Sequence, residues 1–199
     1  MDDQLVYIFA DESCLGNQFK DTARPGAAAG LIERFSERNG WHRRDFACFE
    51  ADTTNNRMAI VSGIEGLRAL RRSCKVVFTS DSQYLVHGMK TWVHGWAARG
   101  WRRKGGAIEN IELWKRLCRQ AADHEVEWRW VRGHAGHPKN EYANDLAVRT
   151  AMERRGIKAT IDSHFEKWIE EEQERNRFVG FLDVPDSRPF QPARIAPAT

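Results

Sequence analysis

Two aspartates follow apolar, strand-like runs and are the first candidates for chemistry. Residues 5–10 are followed by Asp11, and the run 75–79 is followed by Ser80 and Asp81. Taken alone, either acid would be a solvated residue at the end of a strand. Two strands that end in aspartate can instead bring both carboxylates to one crevice at the sheet edge, where α/β folds place their ligands. The pair therefore predicts a metal site.

A second candidate is the stretch 91–106, which is rich in tryptophan and basic residues and contains no acid. Trp92 and Trp96 stand four residues apart and share one helix face, which is typical of core packing. Basic groups interleaved with aromatic rings also suit a nucleic-acid backbone. The residues alone leave both interpretations open.

The glycine-rich loop 132–140 contains His134 and His137. A zinc site would need a Cys pair or an acidic partner, and neither accompanies this loop. A general acid or proton shuttle fits better, because histidine titrates near neutral pH.

The hydrophobic pattern predicts the elements that hold these residues. The first three strands form an antiparallel meander, and Thr or Asn residues cap the helix that follows, whose N-terminus also suits an anion. Predicted strands cover 5–10, 26–32, 41–50, 75–80 and 125–131. Predicted helices cover 53–72, 83–89, 108–122 and a segment from 140, with Asn140 as its candidate cap.

Composition sets limits on the class of protein. A chain of 199 residues with a net charge of +3 can bury one sizeable core and carry an appendage. The four cysteines show no CxxC spacing and no apolar run reaches the roughly 20 residues of a membrane span, so we expect a cytoplasmic monomer with reduced thiols and no membrane partner.

In its motifs and their order, the chain resembles the type I ribonuclease H family. The segments that carry the resemblance are Asp11–Asn17, Thr53–Met58, Thr79–Tyr84, Trp92–Trp101 and Trp128–Ala147. The resemblance implies an α/β, ribonuclease H-like fold over residues 1–153, with a five-stranded mixed sheet of three antiparallel and two parallel strands flanked by helices. It also implies Mg²⁺-dependent cleavage of the RNA strand of an RNA-DNA hybrid.

The family holds its metals with four carboxylates, and only two of them are present here. Asp11 and Asp81 occupy two of the positions, and His134 matches the loop histidine. Ala59 and Asn144 stand at the other two. Because an amide is a far poorer ligand for a hard cation, we expect weak or single-site Mg²⁺ binding and a protein that is inactive or strongly impaired.

Three neighbouring acids are candidates to replace the missing ligands. Glu12 stands where the family has glycine, but adjacent residues of a strand point to opposite faces, so we expect it to point away from Asp11. Asp145 is turned by about 100° from Asn144 on a helix. Glu65 faces elsewhere. Asp145 is the least unfavourable of the three.

The positions that bind substrate in the family are filled. They are Asn17, Thr54, Asn55, Asn56, Gln83, Trp92, Trp96, Arg99 and Trp101.

Residues 154–199 form an extension beyond the resemblance, with a charged helix at about 162–177 followed by an irregular tail that contains prolines. The extension packs on the domain, docks a protein partner or remains free.

Three hypotheses follow: a protein that binds RNA-DNA hybrids but cleaves them poorly, an active nuclease with a rebuilt metal site, and a protein-interaction module. We favour the first, because residues that position substrate are present while metal ligands are missing.

Overall fold

The computed structural model describes residues 5–16 and 24–196 and shows a mixed sheet in the order β5-β4-β1-β2-β3-β6. The expected count of five strands is corrected to six, because the short β6 of the extension pairs with β3. The strands are β1 (Leu5–Cys14), β2 (Gly26–Ser36), β3 (Gly40–Glu50), β4 (Lys75–Ser80), β5 (Glu125–Trp130) and β6 (Ile161–Asp162).

The strand directions confirm the predicted fold, with β1, β2 and β3 antiparallel and with β4 and β5 parallel to β1. The end of β1 was predicted too early. Its residues 11–14 continue to pair with 26–29 of β2, whereas β4 ends at Ser80, opposite Ala10. Asp11 therefore lies inside β1, at a point where β2 still pairs on one side but β4 has already ended on the other.

Helices cover both faces of this sheet. The helix α1 packs with α2 and α4 on the face that carries Ile8 and Ala10, and α5 packs on the opposite face. The π-helical turn Gly88–Trp92 joins α2 to α3. The helices are α1 (Asn55–Arg68), α2 (Gln83–His87), α3 (Val93–Ala97), α4 (Ile111–Ala122), α5 (Pro138–Glu153) and α6 (Phe165–Glu174).

Polar side chains cap the two helices nearest the predicted site. Thr54 caps α1, since its hydroxyl accepts a hydrogen bond from the Arg57 amide at 3.2 Å. The expected Asn140 cap of α5 is wrong, because α5 begins earlier, with His137 as the cap and Pro138 in its first turn. Proline is favoured there because the first amides of a helix need no intrahelical partner.

The extension packs on the domain. Phe165 of α6 is fully buried beside Tyr142 of α5, with ring centroids 5.5 Å apart. The tail continues across the sheet, where Trp41 Nε1 donates to the Asp183 carbonyl at 3.0 Å and the Ala193 amide donates to the Val126 carbonyl at 2.8 Å. No helix in the described part of the chain combines the length and apolarity needed to cross a membrane.

Candidate active site

Asp11, Glu12 and Asp81 form a carboxylate trio at the edge of the sheet. One oxygen from each lies within 4.8 Å of the others, and Asp11 is only 6% exposed. The expectation that Glu12 points away from Asp11 is therefore wrong. Adjacent residues do leave opposite faces of a strand, but β4 has ended at Ser80, so no backbone separates the two faces beside this pair. The longer Glu12 side chain reaches the same opening as Asp11.

A short turn after β4 holds Asp81 at this opening. The Ser82 amide donates to Ser80 Oγ at 3.0 Å, and Ser82 Oγ in turn accepts from the Leu85 amide to cap α2. Trp130 Nε1 donates to the Asp81 carbonyl at 2.9 Å. A side chain at Gly133 would meet the Asp81 carboxylate, so a larger residue in the loop after β5 would displace that carboxylate.

The electrostatics of the trio favour a bound cation. Burial, and next the negative charge of Asp81, raise the pKa of Asp11 to about 8. Burial followed by Asp11 and Asp81 raises the pKa of Glu12 well above its usual value, and burial raises that of Asp81. Glu12 Oε2 is buried and accepts no hydrogen bond from any described residue. An uncompensated set of carboxylate oxygens is the ligand set that a hard divalent cation prefers.

The helix α5 supplies amide groups at the trio. Asn140 Nδ2 donates to Asp11 Oδ2 at 3.3 Å, beside the Glu12 amide, which donates to Asp11 Oδ1 at 2.7 Å. Asn144 is half-buried and lies one turn further along α5, on the face that carries Asn140. Asp145 is exposed and accepts a hydrogen bond from Trp168 Nε1 at 3.0 Å, so it does not replace the missing acid. Ala59 is fully buried and offers no ligand.

The two loop histidines differ in role. His134 is exposed, adopts a left-handed backbone conformation (φ +52°), and lies near enough to Asp81 to lower the pKa of that carboxyl. His137 has a structural role, since its Nδ1 accepts from the Asn140 amide at 3.4 Å and its ring packs 5.3 Å from that of Phe9.

The polar substrate-binding candidates lie at two helix starts. Thr54, Asn55 and Asn56 are exposed at the beginning of α1, and Gln83 is the exposed first residue of α2, two positions after Asp81. Asn17 and the loop that follows it lie outside the described residues.

The tryptophans of the basic stretch divide into two groups. Trp92 and Trp96 are half-buried and pack against each other with ring centroids 5.8 Å apart, on a base of Tyr84 and Trp114. Trp101 is only 6% exposed and packs in the core, and its role as a substrate contact stays a prediction. Arg99 is exposed.

Sequence reasoning missed two residues of the site. Asn140 was interpreted as a helix cap, although its side chain binds Asp11. Trp130 was interpreted as part of a strand, although its indole binds the Asp81 backbone. The available signal for both was proximity in sequence to the His134 loop, which they flank.

Known proteins resemble this chain along most of its length. The sequence model of the RNase H family matches residues 3–152. Ribonuclease HI of Neisseria meningitidis serogroup A is 43% identical over 152 residues, which cover 75% of this chain and 97% of that protein. Ribonuclease H of Shewanella sp. strain ANA-3 is 43% identical over 150 residues, covering 74% of this chain and 88% of that protein.

A solved structure also matches the whole chain. LC9-RNase H1, described as a type 1 RNase H with the type 2 active-site motif, superimposes with a TM-score of 0.89 at 43% identity. The match covers 100% of this chain and 96% of that one, and so includes the extension.

Proposed function

We propose that this chain, which belongs to the ribonuclease H family, is an active nuclease that cleaves the RNA strand of RNA-DNA hybrids through a metal site built on Asp11, Glu12 and Asp81. The observation that carries the proposal is the position of Glu12, whose carboxylate lies within 4.8 Å of both aspartates. This position favours the hypothesis of a rebuilt metal site. The hypothesis of an impaired enzyme stays an untested prediction.

Glu12 takes over the role of the acid that is missing from α1. Ile8 and Ala10 of β1 both face α1. Because alternate strand residues share a face, Glu12 is the next residue on that side. Ala59 is fully buried on α1, and its small side chain leaves this side of the opening to Glu12. LC9-RNase H1 is described as a type 1 RNase H with the type 2 active-site motif. This supports a departure from the usual type 1 arrangement of acids.

Mg²⁺ is the cation that the family resemblance implies, and it would activate the attacking water and stabilise the leaving oxygen. Asp11, Glu12 and Asp81 would hold it, with the Asn144 amide oxygen as a weak additional ligand. Asn140 holds the Asp11 carboxylate in place by its hydrogen bond of 3.3 Å. His134, exposed beside Asp81, carries protons between the site and solvent.

Substrate binding rests on the helix starts and the basic stretch. Amides at a helix N-terminus favour a phosphate, and the exposed Thr54, Asn55 and Asn56 place polar groups beside the amides of α1. A hybrid differs from duplex DNA by its 2′-hydroxyl groups, which such side chains can bind. Arg99 supplies positive charge for the DNA strand.

A carboxylate exchange tests the proposal. Cleavage of a labelled hybrid in Mg²⁺ is measured for Glu12→Gln, for Glu12→Ala and for the double variant Glu12→Ala with Ala59→Glu. We expect each single variant to lose at least about 100-fold in kcat, more than the 10–100-fold typical of residues that only support metal ligands. The double variant should recover much of that loss, because the carboxylate returns from the α1 side.

The exposed Glu37 gives a matched control, since Glu37→Gln removes the same charge far from the site and should leave kcat unchanged. Full activity in Glu12→Gln would contradict the proposal. Hybrid binding without cleavage by the unmodified chain, in both Mg²⁺ and Mn²⁺, would instead support the impaired enzyme.

A further inference from the structure

A groove of about 920 Å³ lies between the helical segment α2–α3, the edge strand β5 and the C-terminal tail. Lys90 and His94 line one wall, Trp128 and Trp130 form the floor, and the tail segment 188–194 forms the other wall. The tail is attached to the β5 edge by the hydrogen bond from the Ala193 amide to the Val126 carbonyl. The tail wall lies outside residues 3–152, to which the family model extends.

The charge available in this groove is positive. Lys90 and Arg194 are exposed, and neither forms an ion pair within the described ranges 5–16 and 24–196. The acid on the floor is already neutralised, because Glu127 binds Arg129 at 2.5 Å and accepts from the Gln191 amide at 2.7 Å.

Asp186 lies just before the tail wall 188–194. It is likewise neutralised, because it pairs with Arg129 and with Arg188. The Arg188 side chain is still 69% exposed and adds to the positive wall.

Trp130 lines the groove and also contacts the backbone of Asp81, a member of the carboxylate trio. Trp130 is 46% exposed. Its Nε1 is fixed by the hydrogen bond of 2.9 Å to the Asp81 carbonyl. A flat aromatic surface therefore stands at the end of the groove nearest the carboxylate trio.

We propose that this groove binds unpaired nucleic acid, a single strand that continues from the hybrid held at the catalytic site. The proposal rests on the proposed function and deepens it by adding a preference for hybrids with a single-stranded extension. An exposed ring flanked by cations suits a single strand, because stacking on Trp130 needs a base that is not already paired, while Lys90 and Arg194 neutralise its phosphates. Since the groove lies on one side of the trio, it serves the strand that leaves the hybrid at one end only.

The test compares hybrids of equal duplex length that are blunt or carry a ten-nucleotide thymidine extension at one of the four strand ends. Dissociation constants are measured by fluorescence anisotropy in EDTA, so that no cleavage occurs, for the unmodified full chain and for its variants. We expect an extension at one end of the duplex to tighten binding by about fivefold or more, the lower range for stacking of a single base. The ratio of blunt to extended dissociation constants is the readout, because it is insensitive to general damage at the site.

Three variants locate the effect. The charge reversal Lys90→Glu with Arg194→Glu should reduce the ratio to about one, and so should Trp130→Ala, whereas Trp130→Phe should preserve it because a ring remains for stacking. Arg155→Glu with Lys158→Glu is the matched control, since both residues are exposed in the segment that packs on β3, towards the opposite edge of the sheet, and the ratio should stay as in the unmodified chain.

Three outcomes would overturn the inference: no gain from any extension, an equal gain from extensions at both ends, or loss of the gain in the Arg155 and Lys158 control. Competition by polyglutamate as effective as that by oligothymidylate of equal charge would also overturn it and assign the groove to an acidic peptide. Failure of the proposed function is distinguishable, because it would abolish cleavage of the blunt hybrid, whereas failure of this inference leaves blunt hybrid bound and cleaved.

Discussion

Buried carboxylates occupy two regions of the same sheet, and their surroundings are opposite. Among residues 5–16 and 24–196, no basic side chain is in direct contact with Asp11, Glu12 or Asp81, apart from the exposed His134 near Asp81. Glu33, only 1% exposed on β2, instead binds Arg43 at 2.8 Å and also pairs with Lys139. The pKa values reflect this difference: burial raises both that of Asp11 and that of Glu33, but the neighbour Asp81 raises the first further, whereas Lys139 and Arg43 oppose the rise in the second.

The compensated region is completed by the extension. Arg43 also binds Glu166 of α6 at 2.6 Å, and Lys139 binds Asp183 of the tail at 3.0 Å. The Lys139 ammonium lies 5.9 and 5.8 Å from the ring centroids of Phe165 and Phe181, two further residues of the extension. Removing one partner of a buried, paired charge destabilises a fold strongly, whereas carboxylates gathered without a basic partner favour a bound cation. Under the proposed function, the compensated region therefore serves stability and the trio serves catalysis.

Removing the charge of Glu33 should break the compensated region, with the largest effect on stability. Glu33→Gln keeps the side-chain shape but leaves Arg43 and Lys139 with less negative charge, and breaking a buried pair typically costs 3–5 kcal/mol. We expect a loss of about 3 kcal/mol in the free energy of unfolding, measured by urea denaturation, with kcat for hybrid cleavage retained in the folded protein. Unchanged stability with lost activity would reverse the two assignments.

Removing a charge from the trio should have the opposite outcome. Asp81→Asn is expected to reduce kcat at least about 100-fold, which corresponds to about 2.7 kcal/mol, because a hard cation loses a carboxylate ligand. The same change relieves repulsion with Asp11 and Glu12, so the melting temperature in EDTA should stay the same or rise. A fall in that melting temperature comparable with that of Glu33→Gln would show that the trio is structural.

The fold was largely predictable from local patterns, and the family resemblance added its strand order. Continuous apolar runs placed β1 and β4, and an alternating pattern placed β5, to within a few residues, and a polar cap marked α1 at Thr54. The sixth strand was not predictable, because Ile161 and Asp162 contribute only two residues and pair with β3 over a separation of more than a hundred positions. Long-range pairing of this kind leaves no periodic signal in the sequence.

The site was predicted in part, and its failures have physical reasons. Asp11, Asp81 and His134 were placed together correctly because each follows or flanks a strand at the same edge. Glu12 was interpreted as pointing away from Asp11 because adjacent strand residues leave opposite faces; they do so here, but the two carboxylates still meet because β4 has ended beside them. Trp101 was assigned to substrate binding through the family resemblance, which does not reveal that its side chain is buried.

The pH dependence of stability provides a third test of the comparison. Burial and the charge of Asp81 raise the pKa of Asp11 to about 8 in the folded protein, whereas in the unfolded chain it lies near the usual value of about 4. Because the folded state then binds more protons, its free energy of unfolding should fall as pH rises from about 4 to 8, by at most about 1.4 kcal/mol per pH unit for one proton. The measurement is the difference between the unmodified chain and Asp11→Asn in urea denaturation with EDTA, which cancels the contribution of histidines and of Glu33.

In excess Mg²⁺, the difference in unfolding free energy between the unmodified chain and Asp11→Asn should no longer fall with pH, or should rise, because a bound cation replaces the protons. Asp186 supplies an internal reference. Arg188 is the main cause of the lowering of its pKa to about 2, so its stabilising contribution is complete above the unfolded pKa near 4 and constant over the range tested. A difference curve without slope in EDTA would contradict an uncompensated trio.

The smallest expected change in kcat and stability comes from the ion pairs between the extension and α5. Asp183 is 31% exposed in its side chain and pairs with both Arg43 and Lys139, so Asp183→Asn should cost about 1 kcal/mol of stability rather than the larger value for Glu33. Lys139 directly precedes Asn140, whose side chain holds Asp11, but Glu33 still anchors Lys139 in this variant. We therefore expect kcat to change by less than about twofold, which is about 0.4 kcal/mol. A large loss of kcat with little loss of stability would show that the extension positions the trio, and the separation between the two regions would then fail at Lys139.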